Sequence, residues 1–127
     1  MRILELHIEV SDLDRSLEFY TALLPHEKVV RWQDNSAAAL VFPDGTSMGL
    51  WRTGKRGLYD GRGGEHLHFA FQIEDHEYDS IRARVVELGC EVIDHVWPNG
   101  KRSLYFFDPD NHQVEFMTVD WLRGVTK

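Results

Sequence analysis

Residues 3–10 alternate, with Leu4, Leu6, Ile8 and Val10 on one face and Ile3, Glu5, His7 and Glu9 on the other. A period of two predicts a strand with one face against a core. Asp12 then predicts a helix N-cap. Leu13, Leu17, Tyr20 and Leu24 follow at three- and four-residue spacing until Pro25 stops the helix. Strand-like runs come next at residues 28–33, 37–42 and 46–52, the last two joined by a Pro43-Asp44-Gly45 turn. Residues 53–65 hold five glycines and predict a loop.

The plan then repeats. Residues 66–73 set Leu67, Phe69, Phe71 and Ile73 against His66, His68, Ala70 and Gln72. A helix is predicted over 75–88, with Gly89 as its C-cap. Strands are predicted at 91–96, 103–107 and 112–118, the last entered through the turn Asp108-Pro109-Asp110-Asn111. Aligning the capping residues Asp12 and Asp75 gives an offset of 63 residues, and the two late turns pair at 66. Both halves read strand, helix, three strands. The predicted fold class is therefore α+β: two βαβββ modules whose sheets curl around a shared concave site, with the helices outside. Module one spans 1–52 and module two 66–118 of a single domain, with a tail at 119–127.

Composition fits this plan. A chain of 127 residues, 43% hydrophobic and 28% charged, suits one globular domain that needs no disulfide staples. No run approaches the roughly 20 apolar residues of a membrane span, and the N-terminus enters a strand pattern at once, so no signal peptide is expected. Cys90 is the single cysteine, which points to a reducing, cytoplasmic setting. A net charge of -7 with scattered basic residues excludes the electrostatic footprint of nucleic-acid binding. The expected partner is a small-molecule substrate rather than nucleic acid or membrane. Seven histidines are the feature that asks for chemistry, imidazole being the commonest metal ligand.

The two offsets place that chemistry. At 63 Glu5 maps onto His68, and at 66 Gly49 maps onto Glu115. Three of these four positions can ligate a metal, and a catalytic ion needs three or more converging groups with one position open.

Three segments carry a family resemblance. Residues 6–20, beginning Leu6-His7-Ile8-Glu9-Val10-Ser11-Asp12-Leu13, resemble the first strand and helix of the vicinal oxygen chelate superfamily, which includes glyoxalases, bleomycin-resistance proteins, extradiol dioxygenases and fosfomycin-resistance proteins. His68-Phe69-Ala70-Phe71-Gln72-Ile73-Glu74-Asp75 is similar to the fifth strand. Asp108-Pro109-Asp110-Asn111-His112-Gln113-Val114-Glu115-Phe116 is similar to the closing turn and strand. Residues 100–107, running into that turn, most resemble the fosfomycin-resistance group.

The resemblance implies metal ligands on the first, fifth and eighth strands, here Glu5, His68 and Glu115. They would hold one divalent ion (Mn, Fe, Zn or Ni). Two carboxylates and an imidazole suit harder ions such as Mn²⁺ or Mg²⁺ and admit Zn²⁺ or Fe²⁺. The usual first-strand ligand is His or Gln, so Glu5 is a departure. His7, about 6.6 Å along the same strand face, is the alternative. It would complete the two-His-one-carboxylate triad expected of a non-haem Fe(II) oxygenase. A four-ligand glyoxalase I site is not expected, because its fourth position falls on Gly49.

Ser103 and Tyr105 lie where the fosfomycin-resistance group holds a phosphonate, and with His7 they are the expected substrate-binding residues. The implied function is a divalent-metal-dependent enzyme acting on a small oxygenated substrate, as a lyase, a dioxygenase or an epoxide-opening transferase or hydrolase. Similar proteins of this length are homodimers, and a site within one chain or across a dimer is compatible with the sequence. The alternative is a metal-free ligand-sequestering protein of the bleomycin-resistance type. Trp32, Trp51, Trp97 and Tyr105 are expected in core packing, with an aromatic pocket lining as the alternative, Trp121 at a dimer contact or sealing an edge, His112 in a structural turn, and Cys90 buried and inert.

Overall fold

The computed structural model describes residues 3–32, 35–52 and 68–118, with the backbone alone at Trp32 and His68. The glycine loop, His66, the end of the 28–33 run and the tail with Trp121 lie outside the described residues. The chain divides into two compact units, with the division between Arg62 and Gly63.

The first unit contains β1 (Glu5–Val10), α1 (Leu13–Leu23), β2 (Lys28–Trp32), β3 (Ala37–Val41) and β4 (Ser47–Arg52). Asp12 caps α1 as its position predicts, its side chain accepting from the Arg15 amide at 3.1 Å. The buried stripe Leu13, Leu17, Tyr20 and Leu23 follows the helical period, and α1 packs over β3 and β4. Fully burying each such aliphatic side chain contributes about 1.5–3 kcal/mol.

The sheet runs β1-β4-β3-β2, with β1 parallel to β4 and the other pairs antiparallel. The strand forms where the alternation predicts it, but its burial is graded along its length rather than alternating. Val10 is 0% exposed, whereas Leu6 is 36% and Leu4 56% exposed. The expected core face is covered only toward the C-terminal end of the strand, since α1 lies over β3 and β4 rather than along this edge.

The second unit contains β5 (His68–Gln72), a 3-10 turn (Asp75–Glu77), α2 (Tyr78–Glu87), β6 (Ile93–Val96), β7 (Arg102–Phe107) and β8 (Gln113–Met117). Its sheet runs β5-β8-β7-β6, with β5 parallel to β8. Phe106 and Phe116 stack in its core, with ring centroids 5.9 Å apart. Gly89 takes a left-handed φ of 87° just past α2, as a C-terminal glycine should. Asp75 is not the cap, however. The helical segment begins at Asp75 as predicted, but its cap is Glu74, whose amide donates to the Glu77 carboxylate at 3.0 Å.

Strand register supports the repeat without reference to the caps. Glu5 faces Ser47 across the parallel pair of one unit, and His68 faces Gln113 in the other. These partners differ by the same 63 and 66 residues read from the sequence. The late turns agree, because Gly45 (φ 86°) and Asn111 (φ 64°), 66 residues apart, both take the left-handed conformation.

Their anchoring differs. In the first turn exposed Asp44 accepts from the amide and hydroxyl of Thr46 at 2.9 and 2.6 Å. In the second, the Asp108 side chain is wholly buried. It accepts from the amides of Asp110 (2.9 Å) and His112 (2.8 Å) and binds His112 Nδ1 at 2.8 Å. His112 is structural here, as expected.

Burial alone would lower the His112 pKa, but the Asp108 hydrogen bond and the charges of Asp108 and Asp110 raise it above the ordinary value. The folded protein therefore holds this proton more tightly than the unfolded chain. The resulting stability is fully present below about pH 6.5, the unfolded value, and is lost as pH rises through the higher folded value. His112→Gln is expected to flatten the fall in urea midpoint of the metal-free protein between about pH 6 and 8. An unchanged slope would show that another group carries it.

Candidate functional site

Each module presents one row of side chains across its sheet at equivalent register. In the first module the row runs Ala39, Gly49, His7. In the second it runs Tyr105, Glu115, Ala70. The polar side chain stands on the outer strand of one row and on a central strand of the other. Small residues make the room in each case.

In the first module the imidazole of His7 lies across Gly49, where a Cβ on residue 49 would overlap the ring. His7 Nδ1 is 2.7 Å from the Trp51 indole nitrogen, which donates to it, and His7 Nε2 is 3.3 Å from a Glu5 carboxylate oxygen. Three residues singled out in the sequence (Glu5, His7 and Gly49) thus form one cluster with Trp51. Trp51 is a hydrogen-bond donor here as well as a packing side chain, a role its residue type alone did not disclose. Gly49 carries no side chain that could ligate.

In the second module Glu115 is only 4% exposed, between Val114 at 0% and Phe116 at 3%. Tyr105 stands directly across from it on β7. Ser103 is fully buried, and its Oγ accepts from the Trp97 indole at 2.9 Å. Ser103 and Tyr105, two residues apart on one strand, thus bring a hydroxyl pair to the neighbourhood of Glu115. Burial first, then the charge and hydrogen bond of Glu115, push the Tyr105 pKa up, while Ser103 opposes the shift. Trp97 also packs edge-on to His95, with centroids 4.3 Å apart. As with Trp51, the sequence marks Trp97 as an aromatic but not as a donor.

His68 opens β5 beside Gln113. Among the described residues no three His, Cys, Asp or Glu side chains form a metal-binding group, and the His68 side chain lies outside that description. Behind the second sheet, sequence reasoning missed a second polar cluster. The Tyr78 hydroxyl is 2.7 Å from Asp94, Arg82 binds Asp94 at 2.9 Å, and Arg102 lies 4.0 Å above the Tyr78 ring. Burial and Asp94 raise the Tyr78 pKa far above its ordinary value, which marks a structural hydroxyl. Cys90, expected to be buried, is half-buried, and burial with the charge of Asp108 raises its pKa, which disfavours the thiolate.

Residues 2–116 match the family model of the Glyoxalase/Bleomycin resistance protein/Dioxygenase superfamily. The chain belongs to that superfamily. The family expected from the three segments is therefore the one found. Among curated superfamily members, the metallothiol transferase FosB of Lysinibacillus sphaericus (strain C3-41) is 31% identical over 114 residues, covering 86% of this chain and 76% of the relative. The glutathione transferase FosA of Serratia marcescens is 28% identical over 117 residues, covering 87% and 75%.

The fold is shared with a mutant of the fosfomycin resistance protein FosX from Listeria monocytogenes, solved with Mn(II) and 1S,2S-dihydroxypropylphosphonic acid. That match has a TM-score of 0.75 at 24% identity and covers 92% of this chain and 89% of the other. A lactoylglutathione lyase from Agrobacterium tumefaciens matches at TM-score 0.71 and 24% identity, over 91% and 92%. Among the described residues no helix is long and apolar enough to cross a membrane.

Proposed function

We propose that this superfamily member is a divalent-metal-dependent enzyme that opens or adds a nucleophile to a small, oxygenated, anionic substrate. The observation that carries the reading is the buried Glu115 carboxylate on a central strand, with Tyr105 across from it. Burying a carboxylate costs several kcal/mol unless charge and hydrogen bonds compensate, and a cation held beside it would contribute to that compensation. The strand register supports the same choice, because Glu115 is the counterpart of Gly49 and Glu5 that of His68. Glu5, His68 and Glu115 are therefore the proposed ligands. Two carboxylates and an imidazole fit Mn²⁺, Fe²⁺, Zn²⁺ or Ni²⁺.

When bound, such an ion stabilises negative charge developing on a substrate oxygen. The chain's own residues hold and orient. Tyr105 would steady the Glu115 carboxylate or turn its hydroxyl proton to an anionic substrate group, and Ser103, buried and bound to the Trp97 indole, would support Tyr105 from the same strand. His7 offers a further polar edge from the first module. The curated relatives support nucleophilic addition over ring cleavage, since both are named as transferases that use thiols. The reading includes a homodimer, as in similar proteins of this length, and a cytoplasmic location.

A metal-free binding protein is the second reading. It is favoured by the Glu5–His7 contact, which gives Glu5 a partner inside its own module. Metal content separates the two. Protein purified without chelator or metal-affinity tag is expected to carry about one transition-metal ion per chain, the count of a single open catalytic site. Thiol or water addition to phosphonate epoxides, fosfomycin first, would then be assayed. No bound metal after loading with Mn²⁺, Fe²⁺, Zn²⁺ and Ni²⁺ would sink the enzyme reading and leave the binding protein.

A further inference from the structure

The Trp51–His7 contact fixes where a proton sits. An indole N–H can only donate, and it points at His7 Nδ1 across 2.7 Å. Nδ1 must therefore offer its lone pair. In a neutral imidazole the ring proton is then on Nε2, the nitrogen 3.3 Å from Glu5.

Metal ligation needs a nitrogen lone pair, and neither His7 nitrogen has one available. That of Nδ1 is taken by Trp51, and Nε2 carries the proton. Ligation through Nε2 would move the proton to Nδ1, against the indole N–H, and break the 2.7 Å bond. Glu5 has no such conflict. An ionised carboxylate offers about four lone-pair sites, and the His7 contact uses one.

We infer that His7 is a positioning residue rather than a ligand: Trp51 and Gly49 hold it as the Nε2–H tautomer, and that N–H orients the Glu5 carboxylate as the first-strand metal donor. The metal part of this inference rests on the reading proposed above. The common arrangement, a ligating histidine steadied by a carboxylate, is inverted here. Gly49 enters because any Cβ there would displace the ring from its seat on β4. Stability is not the purpose of the contact. The Glu5 side chain is 57% exposed and that of His7 36%, so at 3.3 Å the pair adds little to folding. What it adds is direction.

Two measurements test this. In metal-free protein labelled with ¹⁵N-histidine, long-range ¹H–¹⁵N correlation is expected to show His7 with an unprotonated Nδ1 and a protonated Nε2. Trp51→Phe, which keeps the ring and loses only the donor, should release it to a tautomer mixture. A protonated Nδ1 in the native protein overturns the inference.

In Mn²⁺ titrations, Trp51→Phe and Gly49→Ala are each expected to weaken binding roughly 10- to 100-fold, as loss of a ligand's supporting partner does. His7→Gln, whose amide N–H reaches the same place as Nε2–H, should stay near native affinity, and Glu5→Gln should lose most of it. The opposite pattern, with His7→Gln abolishing binding and Glu5→Gln sparing it, makes His7 the ligand and overturns the inference. Native protein that binds no metal overturns the enzyme reading and the ligand half of this one together. The tautomer measurement then decides the Trp51–His7 half by itself.

Discussion

Glu115→Ala is expected to weaken Mn²⁺ binding by more than about 100-fold, beyond what loss of a ligand's supporting partner costs. The reasoning starts from burial. Glu115 is 4% exposed between two core residues, and an alanine there leaves the β7–β8 and β5–β8 ladders untouched. The variant sheds a charge whose desolvation costs several kcal/mol, and Tyr105 across from it is only half-buried. The fold should therefore survive, so lost affinity can be read as lost ligation. Tyr105→Phe is the companion variant, because it removes only the hydroxyl proposed to steady the carboxylate. It should lie between the two, at roughly 10- to 100-fold. Calorimetric titration of the three proteins, with circular dichroism as a folding check, is the measurement. Equal affinities across all three would remove Glu115 from the site.

The second large effect is on stability. Asp108→Ala is expected to lower the unfolding free energy by about 3–5 kcal/mol, the range for stripping a buried charged partner from groups that depend on it. The wholly buried side chain serves two backbone amides and one imidazole, none of which finds water easily once it is gone. Asp44→Ala in the first module is the control. Asp44 is exposed and bonds Thr46 at the surface, so its loss should cost about 1 kcal/mol or less. Urea unfolding of metal-free protein at pH 7 measures both. Comparable losses from the two would show that the buried anchoring of the second turn carries no special weight.

These two turns also show how far the sequence can be read. Their equivalence was legible from Pro43-Asp44-Gly45 and Pro109-Asp110-Asn111, and the left-handed Gly45 and Asn111 agree with it. The deep anchor was not legible, because an aspartate just before a turn looks the same whether its carboxylate faces water or the core. Asp12 was read correctly as a cap, since a capping side chain acts on residues adjacent in sequence. The second helical segment starts at Asp75 as predicted, but its cap falls one residue earlier, because Glu74, Asp75 and Glu77 all offer carboxylates there.

The same limit governs the site. Period two gave the facing of Glu5 and His7, and the repeat gave the pairing of Gly49 with Glu115. Neither could reveal that Trp51 and Trp97 turn their N–H groups onto His7 and Ser103. Those contacts depend on side-chain orientation across strands that are distant in sequence. Nor could alternation along β1 say that Leu4 and Leu6 would be left uncovered. A period names a face and does not say what lies against it.

The seating of His7 over Gly49 constrains how this protein could change. A side chain at position 49 would meet the imidazole where it now lies, so the ring would have to move to admit it. A step toward a fourth ligand at position 49 would therefore act on position 7 as well and put the Trp51 hydrogen bond at stake. The two positions are coupled: a change at either is felt at both.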